Sequence, residues 1–203
     1  MNLITEIQYF PPVTFYRTLT PETHIVFEQY ETYQKMSFRN RTMIAGANGI
    51  ILLSIPLETG REQKKLIRDV RIDASKKWQI EHWRSIGSTY NRSPWFDHYR
   101  DELEGLYQKK YEFLFDWNLA CFEWTLRKLG LRTTVSLTED YYPDYNSDGH
   151  IDSRNALLPR NYLDQDLVKY RQVFEDRIGF LPNLSILDLL FCEGKHAIGL
   201  LAS

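Results

Sequence analysis

Nine consecutive residues, Tyr33-Gln34-Lys35-Met36-Ser37-Phe38-Arg39-Asn40-Arg41, hold three cations, two amides and a hydroxyl beside two aromatic rings. Guanidinium forks match the oxygens of phosphate and carboxylate, and amides orient hydroxyls. The segment therefore suits an anionic small molecule such as a nucleotide-sugar. A solvated loop whose arginines pair with surface acids explains the same composition. A second candidate is Glu6-Ile7-Gln8-Tyr9-Phe10-Pro11-Pro12, where a strand runs into a stiff turn. Side chains at the carboxyl end of an open α/β sheet are placed where ligands bind, although two prolines and two aromatics also make a plain packing corner. Third, His82 follows Trp78 by four residues and precedes Trp83 by one. A partly buried histidine there is an acid or base near neutral pH; a packed and satisfied imidazole is the competing reading.

The stretch from Asp144 to Asp152 matches nine positions of a calcium loop, with acid or amide at one, three and five and Gly149 at six. Its twelfth position is Asn155 instead of a bidentate Glu. A turn rich in Asp, Asn and Gly accounts for the same residues, and no metal is expected. No glycine-rich phosphate loop, serine elbow or paired-histidine zinc motif occurs, so the cofactor stays unknown.

Composition removes several function classes. Twenty-five basic against 27 acidic residues leave a charge of −2, which lacks the basic excess of a nucleic-acid binder. Aromatics at 14% exclude disorder, because so much large apolar surface offsets ordering entropy. Cys121 and Cys192 are too few for a disulfide scaffold. The longest apolar run, Ile50 to Leu53, is far below a bilayer span, so no transmembrane segment is expected. The start, Met1 to Phe10, has no basic stretch or long apolar core, and the expected location is cytoplasmic.

The elements that must position these residues read as follows. Leu3 to Phe10 and His24 to Glu28 are strands, and Val13 to Leu19 is one or two helical turns. Thr42 to Ala47 and Ile50 to Ile55 flank Asn48-Gly49, a hairpin signal. A further strand is expected at Ile67 to Ile72. Ser75 caps a helix facing inward through Ile80, Trp83, Ile86 and Tyr90. Ser93-Pro94 starts another, lined by Phe96, Tyr99, Leu103, Leu106 and Tyr107. Tyr111 to Leu129, closed by Arg127, Lys128 and Gly130, is the central buried helix. Thr133 to Leu137 is a strand, Tyr141 to Asn155 a loop, and Leu184 to Phe191 a helix ending near Gly194. The whole is expected as a single mixed α/β domain over residues 1–203, with a mostly central sheet, one β-hairpin and a cluster of helices.

The order of these motifs resembles the WbqC-like protein family over nearly the full chain. Its opening Gln-x-x-Tyr-x-Pro pattern aligns with Glu6, Tyr9 and Pro11, and Gly-Tyr-Phe with Thr14, Phe15 and Tyr16. A Gln-Lys-x-Ser-Tyr-x-Asn-Arg type segment aligns with Gln34 to Arg41. Trp78, His82, Tyr90, Pro94 and Phe96 continue the match, as do Asp152, Arg154, Pro159, Tyr170, Gln172, Val173, Phe174, Gly179 and Phe180. Pro182 to Phe191 closes it. Two departures are Glu6 in place of Gln and Thr14 in place of Gly.

The resemblance implies a bacterial protein of lipopolysaccharide or other surface-polysaccharide biosynthesis, a transferase acting on a sugar or nucleotide-sugar. On that expectation His82 or Glu6 is the acid or base, and Tyr9, Gln34, Lys35, Arg39, Asn40 and Arg41 bind substrate in one cleft. The rival is a non-catalytic binding or assembly protein with an aromatic surface. A concave polar pocket favours the enzyme, and an exposed aromatic patch favours the rival.

Overall fold

The structure, a computed structural model, describes residues 1–59, 64–146 and 149–202. The chain runs β1 (Asn2–Thr5), α1 (Val13–Arg17), β2 (His24–Phe27), β3 (Arg41–Gly46), β4 (Gly49–Ser54), α2 (Trp78–Tyr90), α3 (Phe96–Gln108), α4 (Leu114–Leu129), β5 (Thr134–Leu137), β6 (His150–Asp152), α5 (Glu175–Ile178), α6 (Ile186–Glu193) and α7 (Ala197–Ala202). Four strands form one all-parallel sheet in the order β5-β2-β1-β6. Leu3 pairs with Ile25 on one side and Ile151 on the other, and Ile25 with Val135. Central β1 is buried through Leu3, Ile4 and Thr5, the continuous apolar run that a parallel strand covered on both faces requires. The expected mixed α/β architecture is present. No helix among the described residues is long and apolar enough to cross a membrane.

Strand β1 stops at Thr5, short of the expected Phe10. Phe10 sits at φ 41°, a left-handed conformation that no strand accommodates, and its carbonyl accepts hydrogen bonds from Thr42 Oγ1 and Ser185 Oγ. Pro11-Pro12 then leads into α1. The hairpin forms, with Gly46 opposite Gly49, but its two-residue turn is Ala47-Asn48. Only Gly49 takes a positive φ, 129°, so the glycine closes the turn from outside it.

Ile67 to Ile72 is no strand. Ile67–Asp69 is a 3₁₀ turn, followed by single bridges Arg71 to Phe113 and Leu57 to Ile72. Its apolar members Ile67, Val70 and Ile72 are buried all the same, so the apolar pattern reported burial and not strand pairing. The expected loop Tyr141 to Asn155 contains β6. This three-residue edge strand is mostly exposed and carries no apolar alternation to reveal it.

The helices form the cover. Helix α2 buries Trp78, His82, Ile86, Thr89 and Tyr90, a face rotated from the expected one, and Ile80 is 50% exposed. Ser75 is no cap: its amide and hydroxyl bond Asp73 Oδ1 in the preceding turn, and Lys77 holds the cap position. Ser93 likewise bonds back to the Tyr90 carbonyl, and α3 starts at Phe96 after Trp95. The inward face of α3 is the expected one. In α4, Leu114, Trp117, Cys121 and Trp124 are all buried, and Gly130 ends the helix at φ 69°. Ser185 caps α6 through the Leu187 amide.

Candidate functional site

In a parallel sheet every strand delivers its following residue to the same edge, and this chain spends that geometry on charge. Glu6 follows β1, Glu28 follows β2, Thr138 follows β5, and Asp152 to Asn155 end and follow β6. A cavity of about 570 Å³ opens at this edge. Its wall comes from the segment after β2 (Tyr30, Glu31, Thr32, Tyr33 and Gln34), from Tyr141 and Pro143, and from Asp152, Arg154 and Asn155.

Two ion pairs build that wall, one buried and one half-buried. Arg39 is fully buried and donates from Nε and Nη2 to the two oxygens of Glu31, each at 2.7 Å. Asn118 of α4 fixes the Arg39 carbonyl. Arg39 Nη2 also reaches Asn155 Oδ1 at 3.0 Å, and the Asn155 amide donates to Glu6 Oε2 at 2.7 Å. Asn155 holds these two contacts from a left-handed backbone, φ 61°. Burial raises the Glu31 carboxyl above its ordinary range despite the opposing pull of Arg39. Burial also works against the Arg39 charge, but Glu6 and Glu31 outweigh it and the guanidinium stays firmly protonated.

Arg154 is the second hub. It grips both oxygens of Asp152 through Nε and Nη2, lies 3.6 Å from Glu28, and bonds the Pro143 carbonyl. Its guanidinium stacks over Tyr141 and Tyr145 at 5.3 and 4.6 Å. Tyr145 donates to Glu28 Oε2 at 2.6 Å, and burial with that carboxylate raises the phenol to about 12. Thus the β5–β6 connection is tied down over the strand ends.

The expected site residues divide between this cavity and the scaffold. Gln34 lines the cavity, and Glu6 and Arg39 stand directly behind it. Tyr9 and His82 do meet: the Tyr9 hydroxyl is shared between His82 Nδ1, at 3.0 Å, and the Tyr107 hydroxyl. They lie in a packed aromatic cluster with Trp78 and Trp117, and neither lines the cavity. The other partner of His82 is the Ser54 backbone. Burial pulls its pKa down to about 4. Asn40 is spent on Tyr33 Oη and the Ile55 carbonyl. Arg41 opens β3 opposite Ser54, Lys35 is exposed, and neither lines the cavity. The expected single cleft over all these residues is therefore replaced by a cavity and a separate buried cluster.

Glu28, Glu31, Tyr30 and Tyr141 are the residues that sequence reasoning missed. Glu28 and Glu31 were findable, because acids just after a predicted β2 fall at the carboxyl edge of a parallel sheet. A further buried carboxylate, Asp188, accepts from Tyr90 and Tyr170 hydroxyls and Gln172 Nε2 at 2.6 to 2.8 Å. Burial raises its pKa against the pull of those three hydrogen bonds, and it ties α6 to α2. In the calcium-like stretch, Asp144 Oδ1 accepts from Asn146, and Ser147 and Asp148 lie outside the described residues.

The WbqC-like protein family's sequence model matches residues 7–165, a span that includes the ion pairs, the cavity wall and the buried aromatic cluster. The chain is similar to the uncharacterized protein Rv1507c of Mycobacterium tuberculosis (strain ATCC 25618 / H37Rv), 25% identical over 200 residues that cover 85% of this chain and 84% of that protein. No solved structure matches it.

Proposed function

The chain belongs to the WbqC-like protein family, and from that premise we propose that it acts in surface-polysaccharide biosynthesis as a transferase on a sugar or nucleotide-sugar. The site of action on this reading is the cavity at the carboxyl edge of the sheet, and the step is a cytoplasmic one. The observation that carries it is the composition of the wall: tyrosine rings beside planar polar groups, held by one buried and one half-buried ion pair. Apolar faces with a few convergent, oriented polar groups are the makeup of a small-molecule site. Sugars present the matching surfaces, apolar C–H faces and a rim of hydroxyls.

Glu31 is the acid or base on this reading. It lines the cavity, and burial raises its pKa above the ordinary carboxylate value. Glu6 supports it through Asn155 and Arg39. Tyr9, His82 and Asn40 serve as the scaffold under the wall. A partner-binding aromatic surface has less to stand on: of the aromatic rings, only Tyr141 and Tyr142 are strongly exposed among the described residues.

Calorimetric titration with a panel of sugars and nucleotide-sugars tests the proposal, using the wild-type chain and a Gln34→Ala/Tyr141→Ala double variant. Both side chains are exposed, so the fold is retained. Binding by wild type that the double variant loses is the expected result. Binding that survives the double substitution, or an absence of binding across the panel, overturns the assignment.

A further inference from the structure

Resting on that reading, we propose that the sugar taken by this cavity carries a protonated amino group beside a hydroxyl, held by the cavity wall itself and not anchored there through a phosphate. The charge of the wall points this way. Glu31 and Asp152 line the cavity, and Glu6 and Glu28 each stand one contact behind it, through Asn155 and through Arg154. Arg39 and Arg154 are the guanidiniums among these four, and Arg68, which lies over the wall ring of Tyr30, pairs with Asp69, so five carboxylates against three guanidiniums leave a formal −2. A carboxylate excess of this kind repels an anion and favours a cation.

The arginines offer a phosphate little. A phosphate clamp needs an open guanidinium fork. Arg39 commits Nε and Nη2 to Glu31, and Arg154 commits Nε and Nη2 to Asp152 with Nη1 close to Glu28. The aromatic rings of the wall already face cations: Arg68 lies 5.1 Å over Tyr30, and Arg154 5.3 Å over Tyr141. Their π-faces suit an ammonium in the same way.

An independent observation adds the oxygen. Arg39 Nη1 is fully buried and has no hydrogen-bond partner among the described residues, although the same guanidinium touches two wall residues, Glu31 and Asn155. A buried donor without an acceptor costs free energy. A hydroxyl oxygen entering between Glu31 and Asn155 satisfies it, while the neighbouring ammonium meets the carboxylates. Adjacent amine and hydroxyl are the unit that an amino sugar supplies.

The test titrates the full chain with matched ligands: glucosamine against glucose, UDP-glucosamine against UDP-glucose and UDP-N-acetylglucosamine, and 2-aminoethanol as the bare unit. Amide NMR shifts of the cavity segments serve as a second readout. The expected result is binding about tenfold or more tighter for each free amine than for its neutral match. The preference shrinks as salt rises, and Tyr141→Ala weakens amine binding about threefold or more. Equal affinity for amine and neutral sugars overturns the amino-group proposal and leaves the sugar reading standing. Shifts from 2-aminoethanol with none from any sugar keep the amine and overturn the sugar. Silence from every ligand overturns both.

Discussion

Arg39 lays Nε and Nη2 on the two carboxylate oxygens of Glu31, 2.7 Å each, with both side chains buried beneath the cavity. A pair so placed is costly to halve, because the survivor is an uncompensated charge in a dry site. Arg39→Ala and Glu31→Ala should each lower stability by about 3 to 5 kcal/mol, read from urea unfolding. A joint replacement by apolar residues of similar volume should cost less than either single change. Single variants as stable as wild type would show the pair to be solvated. Residue type alone makes Arg39 a ligand anchor whose loss leaves the fold untouched; its burial reverses that.

His82 gives the stability a pH dependence with a defined sign. Its pKa is lowered from 6.5 to about 4 in the folded chain, so the unfolded chain takes up a proton first as pH falls. The contribution is complete above pH 6.5, declines through the window down to about 4, and levels off below it. Its ceiling is about 3 kcal/mol, since each tenfold change in proton affinity is worth about 1.4 kcal/mol. Urea midpoints measured across that window should fall more steeply in wild type than in His82→Gln. Identical slopes would mean that His82 titrates freely in the folded state.

Trp117 is wholly buried, with the rings of Tyr9, Trp78, Tyr107 and Tyr111 at 5.1 to 6.0 Å. Trp117→Ala should cost about 3 to 5 kcal/mol. Trp117→Phe should cost clearly less, since the indole N–H has no hydrogen-bond partner among the described residues to lose. Denaturation curves that coincide for Ala and wild type would place α4 at the periphery.

Asn155 combines a backbone role with a side-chain role, and two substitutions separate them. Asn155→Gly keeps the left-handed turn at φ 61° but drops the bond to Arg39. Asn155→Ala loses that bond and adds left-handed strain of about 1 to 2 kcal/mol. The Ala variant should therefore be the less stable by that margin in urea. Equal stabilities would show that the turn relaxes without cost.

Much of the scaffold is readable from the chain. The apolar faces of α3 and α4 repeat with helical spacing, β1 and β2 are short apolar runs, and Asn48-Gly49 marks the hairpin. Elsewhere the signal is shared or absent. Ile67, Val70 and Ile72 bury themselves on a 3₁₀ turn and isolated bridges, which periodicity does not separate from a strand. His150–Asp152 is too short and exposed to alternate. Gln34, Glu6 and Arg39, singled out by residue type, lie at or behind one cavity. The partners that define it, Glu31 and Arg154, come from segments whose meeting depends on parallel pairing across the sheet. No local pattern encodes that pairing.

The placement of β1 between β2 and β6 also sets an order of events. Asn2–Thr5 finds its second neighbour only in His150–Asp152, 148 residues later in the chain. Contacts so distant in sequence make folding slow, because a long loop must close before they stabilise anything. A ribosome-bound chain that has not yet emerged past Asn155 holds an unfinished sheet with one side of β1 open. Arg39 and Glu31 can already pair in such a chain, but Asn155 is not there to join them to Glu6. The cavity thus stays incomplete until Asn155 has been made, and a chain stalled before that point exposes a strand edge able to pair with another chain.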